Sequence, residues 1–212
     1  MIKVDIFTFN PVQENTYLLS NEKGDAIIID PGCMFFAEQE ELKNFILKAG
    51  LNPVRLMNTH CHFDHVFGAK WAAETYKLEM YLHPEEQKIM EGATASAKRF
   101  GMDFENYDGP LHFLQDNDTV MLGTDELKVI LAPGHSPGSI CFYNEKQGIL
   151  IGGDVLFRRS IGRTDFPYGS HEQLLESIRT RLFVLPDETV VYPGHGQSTT
   201  IGYEKRNNQF LI

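Results

Sequence analysis

The sequence of 212 residues has little cysteine, an excess of negative charge and no long apolar run. Its three cysteines, Cys33, Cys61 and Cys141, are odd in number and widely spaced, which argues against a disulfide framework and favours a reducing compartment. Lysine and arginine number 19 against 29 acidic residues, and a net charge of −10 disfavours a nucleic-acid-binding protein, which needs a basic surface. No apolar stretch approaches the ~20 residues of a membrane span, and the N-terminus lacks a signal-peptide pattern. We therefore expect a soluble, cytoplasmic protein without a membrane or nucleic-acid partner.

Segments with strand and helix periodicity follow one another along the chain. Ile2–Phe9 alternates at period two, as a half-buried strand does. Phe36–Gly50 places Leu42 and Ile46 on one helical face and ends in glycine, the residue that favours helix termination. Strands followed by helices, twice over, predict an α/β fold in which helices cover sheets. The length fits a single domain spanning residues 1–212.

Three segments carry more specific structural expectations. Val66–Leu78 is predicted to form one helix, and Ser170–Leu185 another, with a capping pair at Ser170 and Gln173. The C-terminal segment Thr199–Ile212 is polar, and we expect it to be partly structured at best.

Metal-ligand side chains are concentrated in "NTHCHFDHVFG", Asn58–Gly68. This stretch contains H-x-H-x-D-H, which is three histidines and one aspartate within six residues. Histidine and carboxylate together suit Zn²⁺, with iron and manganese as alternatives. The residues in question are His60, His62, Asp64 and His65.

Three other apolar strands also end in a turn that carries a ligand residue type. These turns hold His135, Asp154 and His195, each directly preceded by glycine. Ligands at one end of the strands converge on one point in open α/β folds. Five of the eight histidines therefore lie in turns that are expected to meet.

Seven candidate ligands exceed the four that one zinc ion takes, so the set predicts two ions about 3.5–4 Å apart. The expected grouping is His60, His62 and His135 for one ion, Asp64, His65 and His195 for the other, and Asp154 as the bridge.

Each of these residues also has a simpler interpretation. Asp64 could cap the following helix, Asp154 could be a turn former, and an isolated turn histidine needs no ligand role. Cys61 is interpreted as a buried structural thiol that points away from its two histidine neighbours. No role is assigned to His83, His112 or His171, which lack the surrounding motif.

The motifs "THCHFDH", "PGHSPGS", "GGD" and "PGHG", in this order, resemble the metallo-β-lactamase superfamily. The resemblance covers nearly the whole chain. It implies a four-layer αββα sandwich with a dimetal site at one edge of the sheets, held by the same seven residues. It also implies a supporting role for Asp30 of "DPG", which could equally be a turn residue.

Two further stretches, "LFRRSIGRTDFP" and "GHGQSTTIGYEKRNN", resemble the glyoxalase II branch, and in particular its short bacterial members. This resemblance implies hydrolysis of a small thioester such as S-lactoylglutathione. As a mechanistic hypothesis, Asp64 would hold the attacking hydroxide as well as a metal ion. It places Arg163 where a cation meets the glutathione moiety, although Arg163 could instead pair with Asp165 and brace its loop. The chain ends at Ile212 without the helical C-terminal domain of full-length glyoxalase II, so thioester hydrolysis is expected more firmly than glutathione specificity.

Other functions of the same fold remain open. "GRTDF" also resembles persulfide dioxygenases, which would use one Fe(II) held here by His60, His135 and Asp154. A lactonase, a β-lactamase or a nucleic-acid phosphodiesterase is a third possibility, although many β-lactamases of this fold have cysteine where Asp154 stands. A non-enzymatic metal-binding protein is the fourth. The sequence predicts no oligomeric state.

Overall fold

Two six-stranded sheets form the centre of the computed structural model, which describes all 212 residues. In the first sheet, β1 to β6 lie side by side in chain order; β1 to β3 are antiparallel, and β3 to β6 run parallel. The strands are β1 (Lys3–Phe9), β2 (Glu14–Ser20), β3 (Asp25–Ile29), β4 (Asn52–Met57), β5 (Met80–Leu82) and β6 (Leu111–Phe113). The helices that connect and cover them are α1 (Phe36–Lys48), α2 (Phe63–Val66), α3 (Ala69–Tyr76) and α4 (Gln87–Arg99).

The second sheet has the order β14-β13-β10-β9-β8-β7, with β10 and β13 parallel and the other pairs antiparallel. A two-stranded ribbon of β11 and β12 stands apart from it. The strands are β7 (Thr119–Leu122), β8 (Asp125–Leu131), β9 (Ile140–Asn144), β10 (Ile149–Gly153), β11 (Leu156–Phe157), β12 (Ser160–Ile161), β13 (Val190–Pro193) and β14 (Thr199–Thr200). The helices of this half are α5 (His171–Ser177), which continues as a π-helical turn to Leu182, and α6 (Ile201–Asn207).

Three apolar layers hold these elements together. One lies between the first sheet and α1 to α4, one between the two sheets, and one between the second sheet and α5 and α6. β3 shows how the sequence makes this possible: Ile28 points into the helix-covered layer, whereas Ile27 and Ile29 point between the sheets. Burial on both faces explains its continuous apolar run. The predicted four-layer αββα sandwich is confirmed.

The strand ends from both sheets meet at one edge. Backbone hydrogen bonds join the turns there, from Gly194 N–H to the Gly153 carbonyl at 2.8 Å and from Asn15 N–H to the Gly194 carbonyl at 2.7 Å. Gly194 is required by this close approach, because a Cβ atom at that position would collide with Asp154 Oδ1 and lie 2.7 Å from His65 Cε1. The glycines before the candidate ligands thus allow the turns to pack together.

Two local expectations differ from the structure. The single helix predicted over Val66–Leu78 is wrong. The structure has two helices, because α2 begins earlier, inside the histidine motif, and a turn at Phe67 and Gly68 separates it from α3. The C-terminal segment is ordered: Glu204 of α6 is fully buried and accepts hydrogen bonds from Thr199 Oγ1, Arg159 N–H and Asn208 Nδ2. The prediction that this segment is partly structured at best is therefore wrong, because one of its polar residues, Glu204, is a buried hydrogen-bond acceptor. No helix of the structure is long and apolar enough to cross a membrane.

Candidate metal centre

His60, His62 and His135 bring three ring nitrogens to one point. His135 Nε2 lies 3.2 Å from His60 Nε2 and 2.8 Å from His62 Nδ1. His60 and His62 follow β4, and His135 follows β8 of the other sheet. The structure therefore assembles the first predicted group from both halves of the fold.

Asp64, His65 and His195 form a second group beside the first. His195 Nε2 lies 3.2 Å from Asp64 Oδ2, and His65 Nε2 lies 3.6 Å from the same oxygen. Asp64 and His65 belong to α2, whereas His195 follows β13. Asp64 makes no capping hydrogen bond to this helix, so the simpler interpretation does not account for its position.

Asp154 lies between the two groups. Its Oδ1 is 3.5 Å from His65 Nε2, and its Oδ2 is 3.5 Å from His135 Nε2 and 3.6 Å from His195 Nε2. All seven residues singled out in the sequence are brought together, and Asp154 contacts members of both groups.

The outer nitrogen of each of three histidines is fixed by an acceptor. His135 Nδ1 donates to the Arg163 carbonyl at 2.7 Å, His195 Nδ1 lies 3.1 Å from the carbonyls of Val12 and Gln13, and His65 Nδ1 donates to Asp30 Oδ2 at 3.1 Å. Because these partners only accept, each Nδ1 donates, and Nε2 is the nitrogen that faces the cluster. Metal-binding histidines are oriented in this way.

The electrostatics of the cluster fit divalent cations. Burial lowers the pKa of His62 to about 3 and lowers that of His60 well below its usual value, which keeps both rings neutral and able to act as ligands. Burial opposes charge on His65 as well, but the carboxylates of Asp64 and Asp154 outweigh it and raise the pKa of His65 well above its usual range. His65 Nε2 and Asp154 Oδ1 are buried without a hydrogen-bond partner, which marks a place for a cation.

Asp30 supports the cluster from behind. Its Oδ1 accepts from Thr59 N–H at 2.7 Å, and its Oδ2 accepts from Thr59 Oγ1 at 2.6 Å and from His65. Of the two interpretations of "DPG", the contacts favour the supporting role. Glu14 lies behind the same histidine, fully buried, and its Oε1 is 3.8 Å from His65 Nδ1. The sequence gives no signal for Glu14, which is the first residue of β2.

Glu86 is a second buried carboxylate that the sequence did not reveal. Its Oε1 accepts from Ser136 Oγ at 2.5 Å and Gly138 N–H at 2.7 Å, and its Oε2 accepts from Cys61 N–H at 2.8 Å. These donors flank His60, His62 and His135, so one carboxylate joins the two loops of the first group. Cys61 itself is fully buried in the helix-covered layer, as expected of a structural thiol.

A cavity of about 880 Å³ opens over the cluster. One wall is α4, and the other is the segment from Phe157 to Tyr168. Phe166 packs 4.9 Å from the His62 ring, measured between centroids. Arg163 lines the cavity with its guanidinium 4.1 Å from the Phe166 ring centroid and forms two 2.7 Å hydrogen bonds to the Asp165 carboxylate. The bracing pair with Asp165 is therefore present, and Arg163 faces the cavity at the same time.

Residues 9–195 match the family model of the metallo-beta-lactamase superfamily. The chain belongs to the metallo-β-lactamase superfamily. It is 37% identical to hydroxyacylglutathione hydrolase GloC of Haemophilus influenzae, over 99% of this chain and 98% of the relative. It is 34% identical to the probable metallo-hydrolase YqgX of Bacillus subtilis, over 95% of this chain and 93% of the relative.

Solved structures of the superfamily agree with the fold. TTHA1623 in a di-iron-bound form superposes with a TM-score of 0.89 at 38% identity, covering 98% of this chain and all of that one. The B3 metallo-beta-lactamase BLEG-1 superposes with a TM-score of 0.91 at 36% identity, covering 99% and 100%. ETHE1 from Myxococcus xanthus superposes with a TM-score of 0.79 at 25% identity, covering 100% of this chain and 84% of that one. The protein is therefore a metallo-hydrolase of this superfamily.

Proposed function

We propose that this protein is a dimetal hydrolase that cleaves a small thioester, such as S-lactoylglutathione, into a hydroxy acid and a free thiol. The observation that carries the proposal is the pair of ligand groups joined by Asp154 at the base of the cavity. The similarity to a relative named hydroxyacylglutathione hydrolase supports the choice of substrate. We further propose that residues 1–212 act as one domain in the cytoplasm, with the small-molecule thioester as partner.

The proposed metal ligands are those predicted from the sequence. The first ion is assigned to His60, His62 and His135, the second to Asp64, His65 and His195, and both to Asp154. When bound, two divalent ions, zinc with iron or manganese as alternatives, supply a hydroxide nucleophile near neutral pH and polarise the carbonyl. The similar protein TTHA1623 is di-iron-bound, which supports iron as one of these alternatives.

The chain's own residues orient the reaction. Asp64, besides its ligand role, is proposed to hold the nucleophile, since its Oδ2 faces the cluster at the base of the cavity. The leaving thiol has a pKa of about 8.5, so it departs as thiolate without a strong general acid. Arg163 is proposed to bind the thiol carrier: Asp165 occupies two of its five N–H groups, and the others remain available.

The second candidate is a persulfide dioxygenase with one iron on His60, His135 and Asp154. The structural similarity to ETHE1 is the observation that favours it. A one-iron site would leave Asp64, His65 and His195 assembled without a ligand role. Oxygen uptake with glutathione persulfide, together with metal stoichiometry, separates the two candidates.

The decisive experiment is the hydrolysis of S-lactoylglutathione by metal-loaded protein. Asp64→Ala and Asp154→Ala should each lower turnover by at least about 100-fold, because both remove a group from the reacting centre. Asp187→Asn is the matched control, since Asp187 pairs with Lys205 and Arg206 on the surface. Near-normal turnover in the metal-loaded Asp154→Ala variant would contradict the dimetal mechanism. No thiol release by the metal-loaded wild type would remove the assignment of S-lactoylglutathione as the substrate, and oxygen uptake and a panel of esters and lactones would be the next assays.

A further inference from the structure

The cavity is lined by cations although the protein is acidic. The net charge is −10, yet Lys88, Arg99 and Arg163 all line this one cavity, and Asp165 is the only carboxylate there outside the ligand groups. Two of the cations have partners: Lys88 pairs with Glu85 at 2.8 Å, and Arg163 pairs with Asp165. The Arg99 side chain makes no hydrogen bond or ion pair within the protein. An uncompensated guanidinium beside a catalytic cavity favours an anionic ligand.

The cavity wall that carries Arg99 is one face of α4, and it offers a continuous surface for a ligand. Lys88, Gly92, Ser96 and Arg99 are spaced by four, four and three residues, so they share one face of α4, and all four line the cavity. Gly92 faces open space, because a Cβ atom placed there would have no neighbour within 4 Å. At 1.5 Å per residue, Lys88 and Arg99 are about 16 Å apart along the helix. A peptide of three extended residues spans about 10 Å and fits along this wall.

The Arg99 end of α4 also approaches the metal centre. Phe100 packs against Phe63 with ring centroids 5.4 Å apart, and Phe63 lies between His62 and Asp64. A thioester whose carbonyl is at the cluster can therefore extend its thiol carrier over α4.

We propose that Arg99 binds a carboxylate of an anionic, peptide-sized thiol carrier that lies along the α4 wall. This inference rests on the proposed thioesterase function and names the substrate class of that site. The planar guanidinium presents paired N–H groups that match a carboxylate, which the lysine at the other end of the wall does not. Because Arg99 is exposed, its contribution is a binding preference and not a requirement for turnover.

The kinetic test compares two thioesters, one with its two carboxylates free and one with both carboxylates methylated. Arg99→Ala should raise KM for S-lactoylglutathione about three- to tenfold and leave kcat unchanged, because it removes uniform binding. The same variant should not change KM for the S-lactoylglutathione dimethyl ester, in which both carboxylates are blocked. Arg99→Lys should recover part of the loss. Arg179→Ala is the matched control, because Arg179 is an exposed arginine in the π-helical turn after α5 and does not line the cavity.

A binding measurement keeps this test independent of turnover. S-methylglutathione is a stable thioether, and calorimetry should show weaker binding to Arg99→Ala than to the wild type by the same factor. If the loaded wild type cleaves no thioester but binds the thioether in an Arg99-dependent way, the proposed function fails and the carboxylate site stands. Equal affinities, or an Arg99 effect seen only with a coenzyme A thioester and its phosphates, would overturn the inference while leaving thioester hydrolysis intact.

Discussion

Replacing Glu86 should lower the stability of the protein and weaken metal binding by the first ligand group, and not by the second. Glu86→Ala leaves three buried donors, on Cys61, Ser136 and Gly138, without an acceptor. Burial raises the pKa of Glu86, while these three hydrogen bonds offset part of that effect. Each buried donor left without an acceptor costs about 1–3 kcal/mol, so the three together, after partial relaxation of the loops, cost about 3–5 kcal/mol of unfolding free energy. For a chain of this size, that corresponds to a fall in Tm of roughly 6–20 °C.

The same variant should also lose metal selectively. Cys61 lies between His60 and His62, and Ser136 follows His135, so the freed loops carry all three ligands proposed for the first ion. Asp64, His65 and His195 make no hydrogen bond to Glu86. Metal titration followed by calorimetry should therefore show one strong site in Glu86→Ala against two in the wild type.

Two variants control this experiment. Glu86→Gln keeps the shape and one acceptor but turns an amide N–H₂ towards a backbone donor, so we expect a loss of about 2 kcal/mol, smaller than for alanine. Glu85→Gln changes the neighbouring exposed glutamate, whose carboxylate pairs with Lys88, and should leave Tm and stoichiometry unchanged. If Glu86→Ala bound two ions with wild-type affinity, the positioning role of Glu86 would be refuted.

Three further results are expected. Asp30→Asn should weaken metal binding about 10- to 100-fold in calorimetry, because the acceptor that orients His65 is altered; unchanged affinity would contradict the supporting role. Gly194→Ala should reduce metal content, since the new methyl group collides with Asp154, whereas Gly92→Ala adds a methyl group in open space and should retain full content. Chelation of metal from the wild type should lower Tm by about 10 °C, because an ion at 1,000 times its Kd contributes about 4 kcal/mol; a Tm insensitive to chelators would argue against tight binding.

The candidate ligands could be found in the sequence because their signals are local. His60, His62 and Asp64 fall within a few residues, and His135 and His195 each follow glycine at the end of an apolar strand. Strand ends of an α/β fold meet at one edge, so residue type and position suffice to group them.

The supporting carboxylates could not be found in this way. Glu86 lies 50 residues from Ser136 and 25 from Cys61, and its role exists only after three loops meet. Glu204 accepts from Thr199 and Asn208, which are five and four residues away, and from Arg159, which is 45 residues away, so its burial becomes visible only in the fold. Nothing in the local pattern distinguishes these two glutamates from solvated ones.

The buried charges of the cluster are consistent with the two proposed ions. Asp30, Asp64 and Asp154 place three carboxylates in or directly behind the cluster, all of them buried. Glu14 is a fourth buried carboxyl group behind His65, and burial raises its pKa well above the usual value. Buried charge is costly unless it is compensated, and the histidines of the first group are neutral. Two divalent ions offset the three carboxylates and leave one positive charge for a hydroxide nucleophile, which is consistent with the proposed dimetal site.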